Sequence, residues 1–374
     1  MRNRDFMPSL PPTITSALTE EWAINDEVVR LREWGTDRVH PLFTDRPGPF
    51  TIGTASTCEV QIRDKTRRVS REHAHLQRIQ GRWTVLDRSK HGLYRDGAKL
   101  DKLVLVPGVE IGLGGGVTLV AESARSIALR NFLSRILGWS TACAEAVDLA
   151  LRATRLAARR RAILVLCGHD LVPLAEELHR LTLTSARPFV LCNPRRRTSE
   201  TAGNPTRCAS SGLAALEEAA AGTVCLWAKL LPSDLRDLLA ALRRPGCQTQ
   251  LVVCSESTRD AELFHAIPVV IPPVASRRDE IDRIVEEYAV ESAASLGMGE
   301  LRLDPTERAW IRRHLHTLPD IQKATLRLAA IRQAGSISAG ALRLGISHVA
   351  MLKWLRSHAY PGLAKPRDPD APPR

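Results

Sequence analysis

The apolar positions keep three rhythms along the chain. Over 28–120 they come as short runs rich in β-branched and aromatic residues, at 28–31, 50–52, 59–62, 74–79, 83–86, 102–105 and 117–120. Gly81, Gly92, Asp96-Gly97, Pro107-Gly108 and the glycines of 112–116 punctuate them. Short strands broken by turn signals at this spacing predict an all-β sandwich. Asp96-Gly97 marks a hairpin, because both central positions of the favoured turn need positive φ.

The second rhythm runs over 126–273. A helix is expected over 126–161, with Leu149, Ala153 and Leu156 at helical spacing. Continuous apolar runs follow at 162–168, 188–193, 222–227 and 250–254, separated by helical stretches at 174–182 and 233–242. Buried strands alternating with helices predict an α/β domain with a parallel sheet.

The third rhythm, from Leu301, is helical and basic. Asp304-Pro305-Thr306-Glu307 is a helix start, with Asp304 at the N-cap, proline next and glutamate at the third position. Further on, a short helix ends at Gly345 and Ser347 caps the next. In that last helix Val349, Leu352 and Leu355 are assigned to packing, and His348, Lys353 and Arg356 to the outer face.

At 374 residues the chain has room for two or three domains, and 44% hydrophobic with 25% charged residues is ordinary for a globular protein. The net charge of +12 points to an anionic partner. Ten Lys/Arg against three Asp/Glu fall within 301–360, so about seven of those charges sit at that end, which favours nucleic acid. The eight cysteines include no Cys-x-x-Cys pair and no histidines at zinc spacing, so reduced, mostly buried thiols are expected and no metal. No signal-peptide core follows Met1 and no run of 18 apolar residues occurs; a cytoplasmic protein without membrane contact is expected. Residues 1–26 and 361–374 are expected to be a disordered leader and tail.

The candidate chemistry lies in Arg67-Arg68-Val69-Ser70-Arg71-Glu72-His73-Ala74. A hydroxyl among guanidinium groups on a short loop suits a phosphate, which offers about two negative charges and three acceptor oxygens. A solvated basic loop is the other reading of these eight residues.

Their surroundings carry a resemblance. Phe50-x-Ile52-Gly53, then Cys58-Glu59-Val60-x-Ile62, Val69–Ala74, Trp83-x-Val85-x-Asp87-x-Ser89-x-x-Gly92 and Pro107-Gly108-x-x-Ile111-Gly112 together resemble the forkhead-associated (FHA) domain. This resemblance covers about ninety residues and implies a β-sandwich over 27–123 whose loops bind phosphothreonine peptides. It puts Ser70 and Arg71 on the phosphate, His73 and Gly53 beneath the loop as support, and Gly92 in a second peptide-facing loop. Two positions depart from the family pattern. Thr54 stands where arginine is usual, and His91 where asparagine precedes the glycine; Arg67 or Arg68 is the candidate to replace the missing guanidinium. One charge-assisted hydrogen bond is worth about 1.5–3 kcal/mol, or one to two decades of affinity.

Residues 134–333 are similar in word order to the AAA+ domain of sigma-54-dependent activators, through Leu137-Gly138-Trp139-Ser140, 187–193, 221–226 and 270–281. The nucleotide machinery is missing. Cys167-Gly168-His169-Asp170-Leu171-Val172-Pro173-Leu174 stands where that family has a phosphate loop, without its second glycine, lysine or Ser/Thr. Trp227-Ala228 replaces the magnesium-holding acidic pair, and a polar stretch at 195–211 replaces the sigma-54 loop. Residues 335–355 resemble a Fis-type helix-turn-helix, which puts His348, Lys353 and Arg356 at a DNA groove.

These expectations make a multidomain regulator: an FHA sandwich (27–123), an inactive AAA+-like α/β body (124–273), a helical lid (274–334) and a helix-turn-helix (335–360). It would bind a phosphothreonine protein and DNA, and associate with itself or an active AAA+ relative, with no catalytic residue and no cofactor. A scaffold in Ser/Thr-kinase signalling without DNA binding is the alternative, and an active sigma-54-dependent ATPase a further one.

Overall fold

The computed structural model describes residues 26–42, 48–183, 187–195 and 207–363. They fall into two compact units, 26–131 with 144–160, and 132–143 with 161–363. The leader over 1–25 and the tail over 364–374 lie outside the described residues.

In the first unit eleven strands form two sheets. They are β1 Val28–Glu33, β2 Val39–Pro41, β3 Phe50–Gly53, β4 Val60–Gln61, β5 Ala74–Ile79, β6 Arg82–Asp87, β7 Leu93–Arg95, β8 Ala98–Leu100, β9 Lys102–Val104, β10 Glu110–Leu113 and β11 Val117–Ser123. One sheet has the order β2-β1-β11-β10-β7-β8, the other β4-β3-β5-β6-β9. Period-two alternation sends Ile52, Leu76, Val85, Leu93, Ile111 and Leu119 into the fully buried core. Phe50 packs on Trp83 there, with ring centroids 5.7 Å apart.

Seven strands are legible in the sequence and four are not. Those four are β2, β7, β8 and β10. The hairpin at Asp96-Gly97 forms as expected, with Arg95 opposite Ala98 and φ of +50° and +81° at the turn.

The compact unit does not stop at residue 123. Arg32, fully buried, makes two hydrogen bonds to Asp148 (2.9 and 2.5 Å) and one to Glu122 (2.7 Å). Asp148 also accepts the Gly35 amide at 2.7 Å. The boundary expected at 123 therefore cuts through a unit that includes residues 144–160, because this charge network spans it.

The single helix expected over 126–161 is two helices, α1 Ala124–Leu137 and α2 Ala144–Arg160, with a 3₁₀ turn at Thr141–Cys143. Gly138, at φ +129°, breaks the run. Leu149 and Leu156 are 52% and 43% exposed; the buried stripe of α2 is Val147, Ala150, Leu151, Thr154, Ala157 and Ala158.

The second unit holds a six-stranded sheet, β12 Leu164–Cys167, β13 Phe189–Cys192, β14 Arg207–Ala209, β15 Thr223–Trp227, β16 Gln250–Ser255 and β17 Pro268–Val270. Every pair in the order β14-β13-β15-β16-β12-β17 is parallel. The connecting helices are α3 Val172–Leu183, α4 Gly212–Ala219, α5 Leu235–Leu242 and α6 Asp260–Leu263. Burial on both faces explains why its central strands read as unbroken apolar runs. The two edge strands escaped the pattern: β14 lies in the stretch read as polar, and β17 falls outside the apolar runs expected as strands.

Five helices follow: α7 Ile281–Ser295, α8 Pro305–His314, α9 Leu318–Ala334, α10 Ile337–Arg343 and α11 His348–Ser357. The start of α8 is a reciprocal cap. Asp304 accepts the Glu307 amide at 2.8 Å while Glu307 accepts the Asp304 amide at 3.0 Å. At the start of α11, Ser347 accepts the Ala350 amide at 3.1 Å. Met351 and Leu355 bury against Ala341 of α10, and Leu352 is half-buried. Val349, expected in the packing, is 73% exposed, because this small cluster takes only one stripe of α11 and Val349 lies on the other side. Pro361–Leu363 forms a 3₁₀ turn with Leu363 against the same cluster, so order continues past the expected tail boundary. Among the described residues no helix is long and apolar enough to cross a membrane.

Candidate functional site

Three loops meet at one end of the sandwich: 54–59 after β3, 62–73 between β4 and β5, and 88–92 between β6 and β7. Backbone hydrogen bonds bind the first to the second, from the Thr54 amide to the Ser70 carbonyl (3.1 Å) and from the Ala55 amide to the Arg71 carbonyl (3.0 Å). Gly53 permits that approach. A Cβ at this position would collide with the Arg71 carbonyl and backbone.

His73 joins the second loop to the third. It is fully buried, and its Nδ1 lies 3.0 Å from the Ser70 amide, which can only donate. Nδ1 is therefore unprotonated, and the proton sits on Nε2, which donates to the Gly92 carbonyl at 3.1 Å. Burial pushes the pKa of this imidazole below 6.5, against the pull of the Gly92 carbonyl and Asp87. The ring is a neutral brace with one acceptor and one donor, both used.

The loop that carries the arginines is wound around Asp64. Its carboxylate accepts the Thr66 amide and hydroxyl (2.8 and 2.6 Å) and the Arg68 and Val69 amides (2.6 and 2.8 Å). Partial burial works to raise its pKa, but these four hydrogen bonds outweigh that and hold it near 2. With its amides turned inward and Val69 buried, the loop presents Arg67, Arg68 and Arg71 to solvent. Arg67 takes the left-handed conformation, φ +58°.

Ser70 is half-buried between the loops, and its hydroxyl oxygen accepts the Lys90 amide at 3.3 Å. That leaves the hydroxyl proton free to donate outward. In the third loop Asp87 accepts the Ser89 hydroxyl (2.7 Å), and Ser89 Oγ accepts the Gly92 amide (2.6 Å). Lys99 of β8 comes up beside Gly92, its ammonium 3.2 Å from where a Cβ on that glycine would stand.

The expected residues Ser70, Arg68, Arg71, Gly53, His73 and Gly92 are thus drawn into one cluster. Thr54 faces inward, its hydroxyl 3.4 Å from the Ser70 carbonyl, so it supports the loop and does not stand in for a guanidinium. His91 is exposed and its carbonyl accepts the Tyr94 hydroxyl at 3.0 Å. Asp64, Thr66, Ser89, Lys90 and Lys99 had no assigned role in the sequence. Asp64-x-Thr66 carried a readable turn signal, since a carboxylate two residues before a backbone amide caps it locally. Nothing local marks Lys99, which arrives from another strand.

The remaining candidates, His348, Lys353 and Arg356, are all exposed on the outer side of α11. Among the described residues no group of three or more His, Cys, Asp or Glu is placed to hold a metal ion.

Residues 50–114, the span of these loops, match the FHA domain family, and this stretch of the chain is an FHA domain. Among solved structures, the N-terminal FHA domain of Rad53p from S. cerevisiae, in complex with a phosphothreonine peptide, is 19% identical over 26% of this chain and 94% of its own, with a TM-score of 0.23. The Rv1747 FHA-1 domain of Mycobacterium tuberculosis is 24% identical over 25% of this chain and 93% of its own, with a TM-score of 0.22. Mycobacterium tuberculosis EmbR, in complex with a low-affinity phosphopeptide, is 21% identical over 26% of this chain and 25% of its own, with a TM-score of 0.23. No curated protein matches the chain in sequence.

Proposed function

We propose that the protein binds phosphothreonine-containing proteins through the 54–59, 62–73 and 88–92 loops, and that this binding regulates transcription through its C-terminal helices. The observation that carries the first part is the Ser70 hydroxyl with a free proton beside the exposed Arg71 and Arg68 guanidinium groups, on a loop braced by His73 and Asp64. Donors so placed need no rearrangement to receive a phosphomonoester, and guanidinium forks match its oxygens. Titration of the full-length protein with one peptide in phosphothreonine and threonine forms tests it. Equal binding of both forms would remove the phosphate-sensing role.

The DNA-binding part rests on the net charge of 301–360 and on the outward Lys353 and Arg356. The α/β unit is assigned no ATP hydrolysis. After β12 the loop carries the Asp170 carboxylate, which accepts the Thr317 hydroxyl at 3.3 Å and lies 3.9 Å from the Lys323 ammonium, an anion where a phosphate loop would present amides. One observation favours the scaffold alternative. Leu342 and Val349 are 81% and 73% exposed at the outer side of α10 and α11, and apolar side chains suit a protein partner better than a phosphate backbone.

A further inference from the structure

The strand order of the parallel sheet has a consequence away from the β12 loop. β13 and β15 are neighbours, with Phe189 opposite Thr223. From β13 the chain goes on to β14 on one side, and from β15 to β16 on the other. Outgoing connections that part in this way leave a crevice at the carboxyl ends of the two strands, where open α/β sheets bind their ligands. Here a cleft of about 340 Å³ opens at that place, lined by Leu191, Asn193, Arg195, Trp227, Lys229 and Leu230. It lies two strands from β12.

Its chemistry is mixed in a specific way. Leu191, Leu230 and the indole of Trp227 make apolar walls. The Lys229 ammonium stands 5.1 Å from the indole ring centre. Asn193 Oδ1 accepts the Arg195 amide at 3.2 Å, which leaves the Asn193 NH₂ to donate into the cleft. Among the described lining residues the charges are the Arg195 and Lys229 cations, and the Glu256 carboxylate pairs with Lys229 at 2.7 Å. Lys229 holds the Glu256 carboxyl below its usual range.

We infer that this cleft binds a small molecule made of a planar aromatic ring and one anionic group. The ring lies against Trp227 and the leucines, and the anion meets Arg195, Lys229 and the Asn193 amide. Phosphate, sulfonate and carboxylate share the required chemistry. Glu256 competes for Lys229, so an incoming anion displaces it.

Two fluorescent probes with one ring skeleton test this on the full-length protein. They are 8-anilinonaphthalene-1-sulfonate, which carries the anion, and N-phenyl-1-naphthylamine, which lacks it. The sulfonate is expected to bind saturably and about tenfold or more tighter than the neutral probe, the scale of one charge-assisted contact. Trp227→Ala should weaken both probes, and Arg195→Ala with Lys229→Ala should abolish only the preference for the sulfonate. Glu256→Gln should tighten sulfonate binding. The Arg195 and Lys229 side chains lie at the exposed rim, so their variant keeps the fold if Trp227→Ala does not. Absent or non-saturating sulfonate binding, or a preference that survives Arg195→Ala with Lys229→Ala, overturns the assignment.

Discussion

The Ser70 amide donates to Nδ1 of His73 at 3.0 Å, and this contact fixes both the tautomer of the buried ring and the position of the serine. A protonated His73 cannot accept that hydrogen bond. Because burial lowers the folded pKa below the ordinary 6.5, the unfolded chain binds more protons just under that value. Stability from this group is complete above about pH 6.5 and is lost as pH falls toward the depressed folded value. The unfolding midpoint of the full-length protein should drop as pH falls below about 6.5, and His73→Gln should flatten that part of the profile. An unchanged slope in the variant would contradict the brace.

Arg71→Ala removes an exposed guanidinium from the 62–73 loop. Phosphothreonine-peptide affinity should fall by about one to two decades, with the unphosphorylated peptide unaffected. Calorimetric titration of both peptides decides it. Arg68→Ala should show the same selectivity if Arg68 replaces the guanidinium absent at Thr54.

Gly53→Ala places a methyl against the backbone of Arg71 and Glu72, which cannot yield as a side-chain end can. The cost should be about 1–3 kcal/mol, read from chemical denaturation, with weaker phosphopeptide binding because the Arg71 loop must shift.

Asp148→Asn tests the unit that reaches past residue 123. Arg32 is fully buried and keeps only Glu122 as a charged hydrogen-bond partner once Asp148 is neutralised. Breaking a buried pair from one side costs about 3–5 kcal/mol. The FHA unit should unfold at lower denaturant, and a fragment ending at residue 123 should show the same loss.

Lys353→Ala with Arg356→Ala should reduce the salt slope of duplex DNA binding by about two if both meet phosphates. An unchanged slope would favour the scaffold reading.

The FHA motifs were legible because each is a local necessity. Gly53 and Gly92 stand where a chain must pass closely or take positive φ, and Ser70-Arg71 with His73 lie three residues apart in one loop. Helix starts were legible for the same reason, since the Asp304–Glu307 cap closes within one turn. Which stripe of α2 packs was not legible, because exposed and buried leucines look alike in a sequence. There the alanine side, with Val147 and Leu151, is the one that packs.

By itself the sequence determined what depends on near neighbours: the sandwich texture, the parallel sheet, the caps and the arginine loop. The tertiary structure decided what depends on residues far apart. It gave the Nε2 proton of His73 a carbonyl acceptor nineteen positions away, brought Lys99 beside Gly92, and joined Arg32 to Asp148 across 116 positions. It also fixed the strand order that opens a cleft between β13 and β15. These pairings follow from burial and register, which no short stretch of residues can specify.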